Sequence, residues 1–183
     1  MSPLPLTTVR LHLQPFDLAD APAVQEWAKD ARVAATTLNI PHPYPDGAAE
    51  DWIGSLHEQH HRNRGTTVAI RLRHDDTLIG AMGLGIHPQH NRAELAYWIG
   101  VPYWGQGYAT EAARAVIRYG FQDLGLHRIW AAAMVHNPAS SRVLEKAGLK
   151  REGLLRQHVK KGDTYIDLVY YGLLQEEWAS LCN

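Results

Sequence analysis

Cysteine is almost missing from this chain; the one present is Cys182. A single thiol builds no disulfide framework within a chain, which fits a reducing compartment. No apolar run approaches membrane-spanning length, and the N-terminus lacks the charged-then-apolar pattern of a signal peptide. An excess of either charge is lacking too. Lys and Arg number 18 against 19 Asp and Glu, a formal net charge of −1, which leaves no electrostatic footprint for nucleic acid. Neither repeats nor low-complexity segments interrupt the sequence. These absences lead to the expectation of a cytoplasmic protein with no membrane and no nucleic-acid partner. A chain of 183 residues can bury a sizeable core unaided, so residues 1–183 are expected to form a single domain.

What is there concentrates between Arg92 and Gly148. Along Arg92–Val101, Leu95, Tyr97, Ile99 and Val101 alternate with Glu94, Ala96, Trp98 and Gly100, the period of a strand. Pro102 ends that ladder for want of an N–H. After Trp104-Gly105-Gln106-Gly107-Tyr108 the period changes. Ala112, Ala113, Val116, Ile117 and Phe121 mark one stripe of a helix that Leu124-Gly125 closes. Arg128–Val135 reads as a short apolar strand, and Asn137-Pro138-Ala139-Ser140 as the start of another helix.

Two glycines just before a helix let several N–H groups converge where the helix dipole favours an anion. The same glycines also suit a plain chain reversal. If the guest is a phosphate, the phosphate-loop pattern is excluded, because Gly-Lys-Ser/Thr does not occur. The dinucleotide pattern fits poorly, because Thr110 stands where a third small residue is needed and Met134–Asn137 offers no acid for a ribose. A ligand with a pyrophosphate and a long thin arm remains, and coenzyme A has that form.

These residues resemble the GNAT superfamily of acetyl-CoA-dependent N-acetyltransferases. Gly107-Tyr108-Ala109 matches the Gly-x-Gly/Ala part of its signature, while Trp104 stands where Gln or Arg is usual. Ala93–Ile99, Gly107–Ala112, Asn137-x-x-Ser140 and Val143–Leu149 are similar to the RimJ/RimL branch, which acetylates ribosomal-protein N-termini. The resemblance implies the GNAT fold, an α+β architecture with a mixed sheet of about seven strands flanked by helices. Two central strands, here Arg92–Val101 and Arg128–Val135, are expected to splay and admit the cofactor arm.

The same resemblance implies site roles. Glu94 matches the family's strand glutamate and becomes the candidate general base; Ser140 becomes the group that meets the leaving thiolate. Tyr165, Tyr170 and Tyr171 are alternatives for that second role. Ile99 and Val101 are expected to contact the pantetheine arm through their backbone. Gly105, Gln106, Gly107, Tyr108, Ala109 and Thr110 would meet the pyrophosphate, and Asn137 would hold the arm, although Asn-Pro-x-Ser also caps a helix. The acceptor implied is a primary amine, with a protein N-terminal α-amine preferred. A small amine (antibiotic, polyamine or amino acid) and a non-catalytic coenzyme A sensor stay open. A homodimer is a family habit.

No metal is expected, despite His57-Glu58-Gln59-His60-His61, which matches a two-histidine zinc pattern. Its extension fails at Arg64, where glycine is required, and no glutamate follows before Glu94. A solvated helix end is the reading adopted. The loop 39–47 is stiffened by Pro41, Pro43 and Pro45, with His42 and Tyr44 at its tip as candidate acceptor contacts. Downstream, a strand Leu149–Leu155, a polar connection Gln157–Asp163 and a strand Tyr165–Leu174 are expected.

Overall fold

Helices cover the sheet on both faces, and the inner strands of its N-terminal half are buried almost throughout. The computed structural model describes residues 4–62 and 64–181, without the side chains of His60 and His61; Cys182 lies outside the described residues. In chain order the elements are β1 (Leu6–Thr7), β2 (Leu11–Pro15), α1 (Ala21–Ala28), α2 (Ala31–Ala35), α3 (Ala48–His61), β3 (Gly65–Leu72), β4 (Leu78–His87) and β5 (Arg92–Ile99). Then follow α4 (Tyr108–Gln122), β6 (Arg128–Met134), α5 (Pro138–Lys146), β7 (Lys150–Lys161), β8 (Thr164–Leu174) and α6 (Gln175–Leu181). The strands form one eight-stranded sheet in the order β1-β2-β3-β4-β5-β6-β8-β7. All neighbours are antiparallel except β5 and β6. This is the expected α+β architecture with a mixed sheet, one strand richer than foreseen because Leu6–Thr7 pairs with His12–Leu13.

The parallel pair decides what the fold can do. Its register runs only through Arg92↔Arg128, Ala93↔Ile129 and Glu94↔Trp130. β5 continues to Ile99 and β6 to Met134 without pairing, so the sheet is parted at its centre from Glu94 onward. The N–H of Gly100 bonds the carbonyl of Ile79 across to β4. By strand alternation the main-chain groups of Tyr97 and Ile99 therefore face the gap.

On one face α4, α5 and α6 cover a core that includes Leu84, Leu95, Val116, Ile117, Phe121 and Leu144. The predicted stripe of α4 is the buried one: Ala112, Ala113, Val116, Ile117 and Phe121 are all at most 4% exposed. The larger of these, Val116, Ile117 and Phe121, contribute about 1.5–3 kcal/mol each when fully buried. Trp178 of α6 stacks on Phe121 at 5.5 Å. On the other face α1, α2 and α3 pack Val24, Val33, Ile53 and Leu56 against Ala69, Ala81 and Trp98. In β4 the neighbouring strand comes very close at Gly80. A Cβ there would stand 2.3 Å from the carbonyl oxygen of Trp98, beside the register shift at Ile70/Arg71.

Apart from one-residue shifts at strand ends, two boundaries differ from expectation. β5 ends at Ile99 and not Val101, because Pro102 sits in a 3-10 turn over Val101–Tyr103. The expected polar connection Gln157–Asp163 is mostly strand: β7 extends through Lys161 to a tight turn at Gly162-Asp163. β7 is an edge strand exposed on both faces, so the apolar alternation that marks a half-buried strand is absent. A register shift between Leu155 and Val159, with Gln157 at φ 49°, further breaks its period.

Candidate active site

Two cavities open on either side of the parted strands. The first, of about 520 Å³, lies on the α1–α3 side and holds Glu94, Ala96 and Trp98 of β5, Ala131–Met134 of β6, Trp52 of α3 and the loop from Thr36 to Pro41 with Tyr44. The second, of about 450 Å³, is lined by Ile99, Tyr103–Gly105, Gly107–Thr110 and by Ala139, Ser140, Arg142, Val143 and Lys146 of α5. Thr36, Thr37, Tyr97, Trp98, Asn137 and Ser140 line both. The gap in the sheet is the passage between them.

The second cavity is built for an anion. Gly105 (φ 74°) and Gly107 (φ 81°) take left-handed conformations that a side chain would strain. A Cβ on Gly105 would meet nothing within 4 Å, so the space above the turn is free for a ligand. Gly107 is the N-cap of the 15-residue α4 and offers no side chain to its first N–H groups, which face outward with the positive end of the dipole. Arg142 and Lys146 add two positive charges, and no carboxylate lines this cavity among the described residues. The donor set thus fits a pyrophosphate.

Arg10, which local spacing did not single out, braces the turn. Its Nη1 donates to the Gln106 carbonyl at 3.0 Å, its Nε to Glu111 Oε2 at 2.7 Å, and its guanidinium lies 4.5 Å from the centre of the Tyr108 ring. Glu111 also accepts from Thr8 Oγ1 and from the Arg10 N–H, and these bonds hold its carboxyl below the ordinary range although burial works against them.

Of the expected cofactor contacts, Ile99, Gly105, Gly107, Tyr108, Ala109, Thr110 and Asn137 come together here. Val101 and Gln106 do not line either cavity. The Val101 carbonyl accepts from the Trp104 N–H, and its side chain packs in the α1–α3 core. The Gln106 side chain donates to the Pro102 carbonyl and its own carbonyl is taken by Arg10. Trp104, in the position usually held by Gln or Arg, donates its indole N–H to the Ile99 carbonyl at 2.7 Å. That carbonyl is therefore already bonded.

At the junction, Tyr97 Oη and Ser140 Oγ lie 2.8 Å apart. Burial pushes the Tyr97 phenol up to about 12, with the Ser140 hydrogen bond opposing. Asn137 caps α5, its Oδ1 accepting from the Ser140 N–H at 3.2 Å with Pro138 next. The capping reading and the site position coincide. Thr36 and Thr37, the other hydroxyls here, bond the Val33 carbonyl at 3.0 and 3.2 Å. The α2 end that carries them is held by Lys161, whose Nζ donates to the carbonyls of Ala34 and Thr37.

The other tyrosines lie elsewhere. Tyr171 is buried in the core with its hydroxyl 3.4 Å from Glu145, Tyr165 is 59% exposed, and Tyr170 stacks on Trp130 at 5.2 Å. None of the three lines a cavity. Tyr97 escaped the sequence reading because its place in the alternation of β5 identifies a packing position.

Glu94, half-buried, is the only carboxylate lining the first cavity among the described residues. Burial raises its pKa, opposed by nearby His87. The zinc-like pattern has other employment. His57 Nε2 donates to the Phe16 carbonyl at 3.0 Å and Glu58 pairs with Arg62 at 2.6 Å, while the His60 and His61 side chains lie outside the described residues.

Residues 10–150 match the acetyltransferase (GNAT) domain family. The chain belongs to the GNAT family. It is an acetyl-CoA-dependent N-acetyltransferase by that membership. An uncharacterised N-acetyltransferase of Bacillus subtilis, YnaD, is 32% identical over 174 residues, 94% of this chain and 98% of the relative. The ribosomal-protein-serine acetyltransferase of Escherichia coli is 32% identical over 109 residues, 59% of this chain and 61% of its own length. This bears out the RimJ/RimL resemblance at modest identity. A crystal structure of a GNAT acetyltransferase from Bacillus anthracis superposes with a TM-score of 0.85 at 26% identity, covering 94% of this chain and 99% of that one. No described helix of this GNAT protein is long and apolar enough to cross a membrane.

Proposed function

We propose that the acceptor is the α-amine at the N-terminus of a protein or peptide, acetylated directly while acetyl-CoA is bound. One observation carries the reading: an anion-binding cavity and a cavity holding a lone half-buried carboxylate meet at Tyr97, Asn137 and Ser140. Main-chain groups of Gly105, Gly107, Tyr108, Ala109 and Thr110, with Arg142 and Lys146, would hold the pyrophosphate. Ile99 and Asn137 would border the arm. Acetyl-CoA supplies the acetyl group as a thioester.

Glu94, directly or through one water, takes a proton from the acceptor ammonium. The raised pKa makes it a better base for that task than an exposed glutamate. The neutral nitrogen forms the C–N bond as the C–S bond breaks. Its second proton ends on the sulfur, and Glu94 returns the first to solvent, so one proton is released per turnover. Ser140 donates a hydrogen bond towards the sulfur as charge gathers there, and Tyr97 fixes that hydroxyl and polarises it.

The loop from Thr36 to Tyr44 walls the acceptor cavity with Ile40, Pro41 and Tyr44. A cavity of about 520 Å³ suits the first residues of a peptide, and the relative named as a ribosomal-protein-serine acetyltransferase supports a protein acceptor. The test is thiol release from acetyl-CoA against peptides, polyamines, amino acids and aminoglycosides, with no metal added. Turnover with peptides beginning in Ala or Ser is expected. Turnover with small amines alone would overturn the acceptor assignment, and acetyl-CoA binding without any turnover would favour the sensor.

A further inference from the structure

The acceptor cavity holds few ionisable groups. Glu94 is its one ionisable group apart from two tyrosines; Lys, Arg, His and Asp do not line it among the described residues. Its remaining wall is neutral and mostly apolar, with aromatic surface from Trp52, Trp98 and Tyr44. Trp52 and Trp98 sit with ring centres 6.3 Å apart, and Phe16 meets Trp52 edge-on at 5.0 Å behind them. Burial, and next the charge of Glu50, raise the pKa of Tyr44, keeping it neutral. Glu50 itself is exposed on α3 and does not line the cavity.

We infer that this cavity selects an amine bearing a single positive charge on an otherwise neutral, apolar body of up to aromatic size, and refuses both free amino acids and polyamines. The inference rests on the acetyl-transfer reading and deepens it. One half-buried carboxylate satisfies one ammonium. A polyamine would bring further ammonium groups into a wall that offers them no counter-charge. A free amino acid would set its own carboxylate beside Glu94 with no cation among the described lining residues to receive it; His87, which acts on Glu94, does not line the cavity. Both arrangements bury an unpaired charge, the costliest kind of mismatch. A peptide N-terminus escapes the second penalty, because its first carboxyl is a neutral amide. An apolar first side chain gains by contact with Trp52 and Trp98.

The experiment uses the full chain, saturating acetyl-CoA and four probe amines. These are phenylalaninamide against phenylalanine, and phenethylamine against spermidine. The expected kcat/KM ratio is about 100-fold for the first pair and at least about 10-fold for the second. Ratios near one, or reversed, would overturn the inference while leaving acetyl transfer intact. Failure of all four probes and of a peptide beginning with Phe, with acetyl-CoA binding shown by calorimetry, would overturn the catalytic reading itself and the inference with it.

A variant tests the cause. Gln59 lines the cavity from the exposed face of α3, and Gln59→Glu adds one carboxylate at nearly constant volume. The phenethylamine-to-spermidine ratio should fall by about 3–10-fold. An unchanged ratio in a variant of unaltered Tm would show that charge count does not set the choice.

Discussion

The two cavities that share the parted strands are opposite in character. One is lined by two cations, a helix N-terminus and glycine backbone, the other by one carboxylate and a wall of apolar and aromatic side chains. Under the proposed reading, the difference lets a single gap bind two substrates and keep each on its own side. Anionic groups are stabilised at the α4 end and meet an uncompensated carboxylate at the other, while a cationic amine experiences the reverse. Opposed electrostatics sort the substrates before any contact specific to either is made.

The strongest way to break this contrast is to remove the lone carboxylate. Glu94→Gln should lower kcat by about 10²–10⁴-fold, the usual worth of a general base, in a thiol-release assay. Its effect on stability runs the other way. A carboxyl whose folded pKa is raised contributes stability that is present below its unfolded pKa and lost as pH rises through the folded one. The amide carries no such cost, so at neutral pH the variant's Tm should equal or exceed the parent's. A lower Tm together with retained activity would refute both roles.

Next in size is the anion end. Gly107→Val forces a branched residue into φ 81°, at a cost of about 1–2 kcal/mol and a few degrees of Tm. It should also raise the KM for acetyl-CoA by about 10-fold or more, as the N–H groups lose alignment. Reversing charge with Arg142→Glu and Lys146→Glu should raise the same KM by about 10-fold at low salt and by less at high salt. Equal effects at both ionic strengths would argue against an electrostatic cause.

Smaller still is the junction. Tyr97→Phe should reduce kcat by about 3–10-fold with the acetyl-CoA KM unchanged, since it removes a hydrogen bond worth about 1 kcal/mol. Combined with Ser140→Ala it should cost little more than Ser140→Ala alone, because one hydroxyl acts through the other. The least effect is the pH profile. Activity should rise with pH through the pKa of Glu94, which burial raises, and Glu94→Gln should flatten that limb.

Much of this was legible in the residues, for definable reasons. The strand–glycine turn–helix order of Arg92–Gln122 is local. Period, Pro102 and two glycines before an apolar stripe are signals carried within a few residues, and both faces of β5 fall where alternation puts them. What escaped is non-local. Arg10 reaches the turn from 96 positions away in the chain, and nothing in its neighbourhood marks it. Lys161 holds the α2 end across 124 positions. Tyr97 was visible as a strand residue, but its partner Ser140 lies on another element, and only the parting of β5 from β6 brings the hydroxyls together. The long edge strand β7 was misjudged because exposure on both faces removes the pattern by which strands are recognised.

The gap between β5 and β6 also bears on how the protein aggregates. Unpaired strand edges invite other chains to add on, and proteins usually blunt or cover them. Here the unpaired stretch lies inside the sheet and not at its rim, with helices packed on both faces of that sheet. A thin ligand arm can enter, and one that bonds the open main-chain groups would act as the missing strand. Occupancy would then be a structural event as well as a catalytic one. Acetyl-CoA at about 100 times its Kd adds about 2.7 kcal/mol to stability by mass action. That gain should appear as slowed hydrogen exchange at the Tyr97 and Ile99 amides.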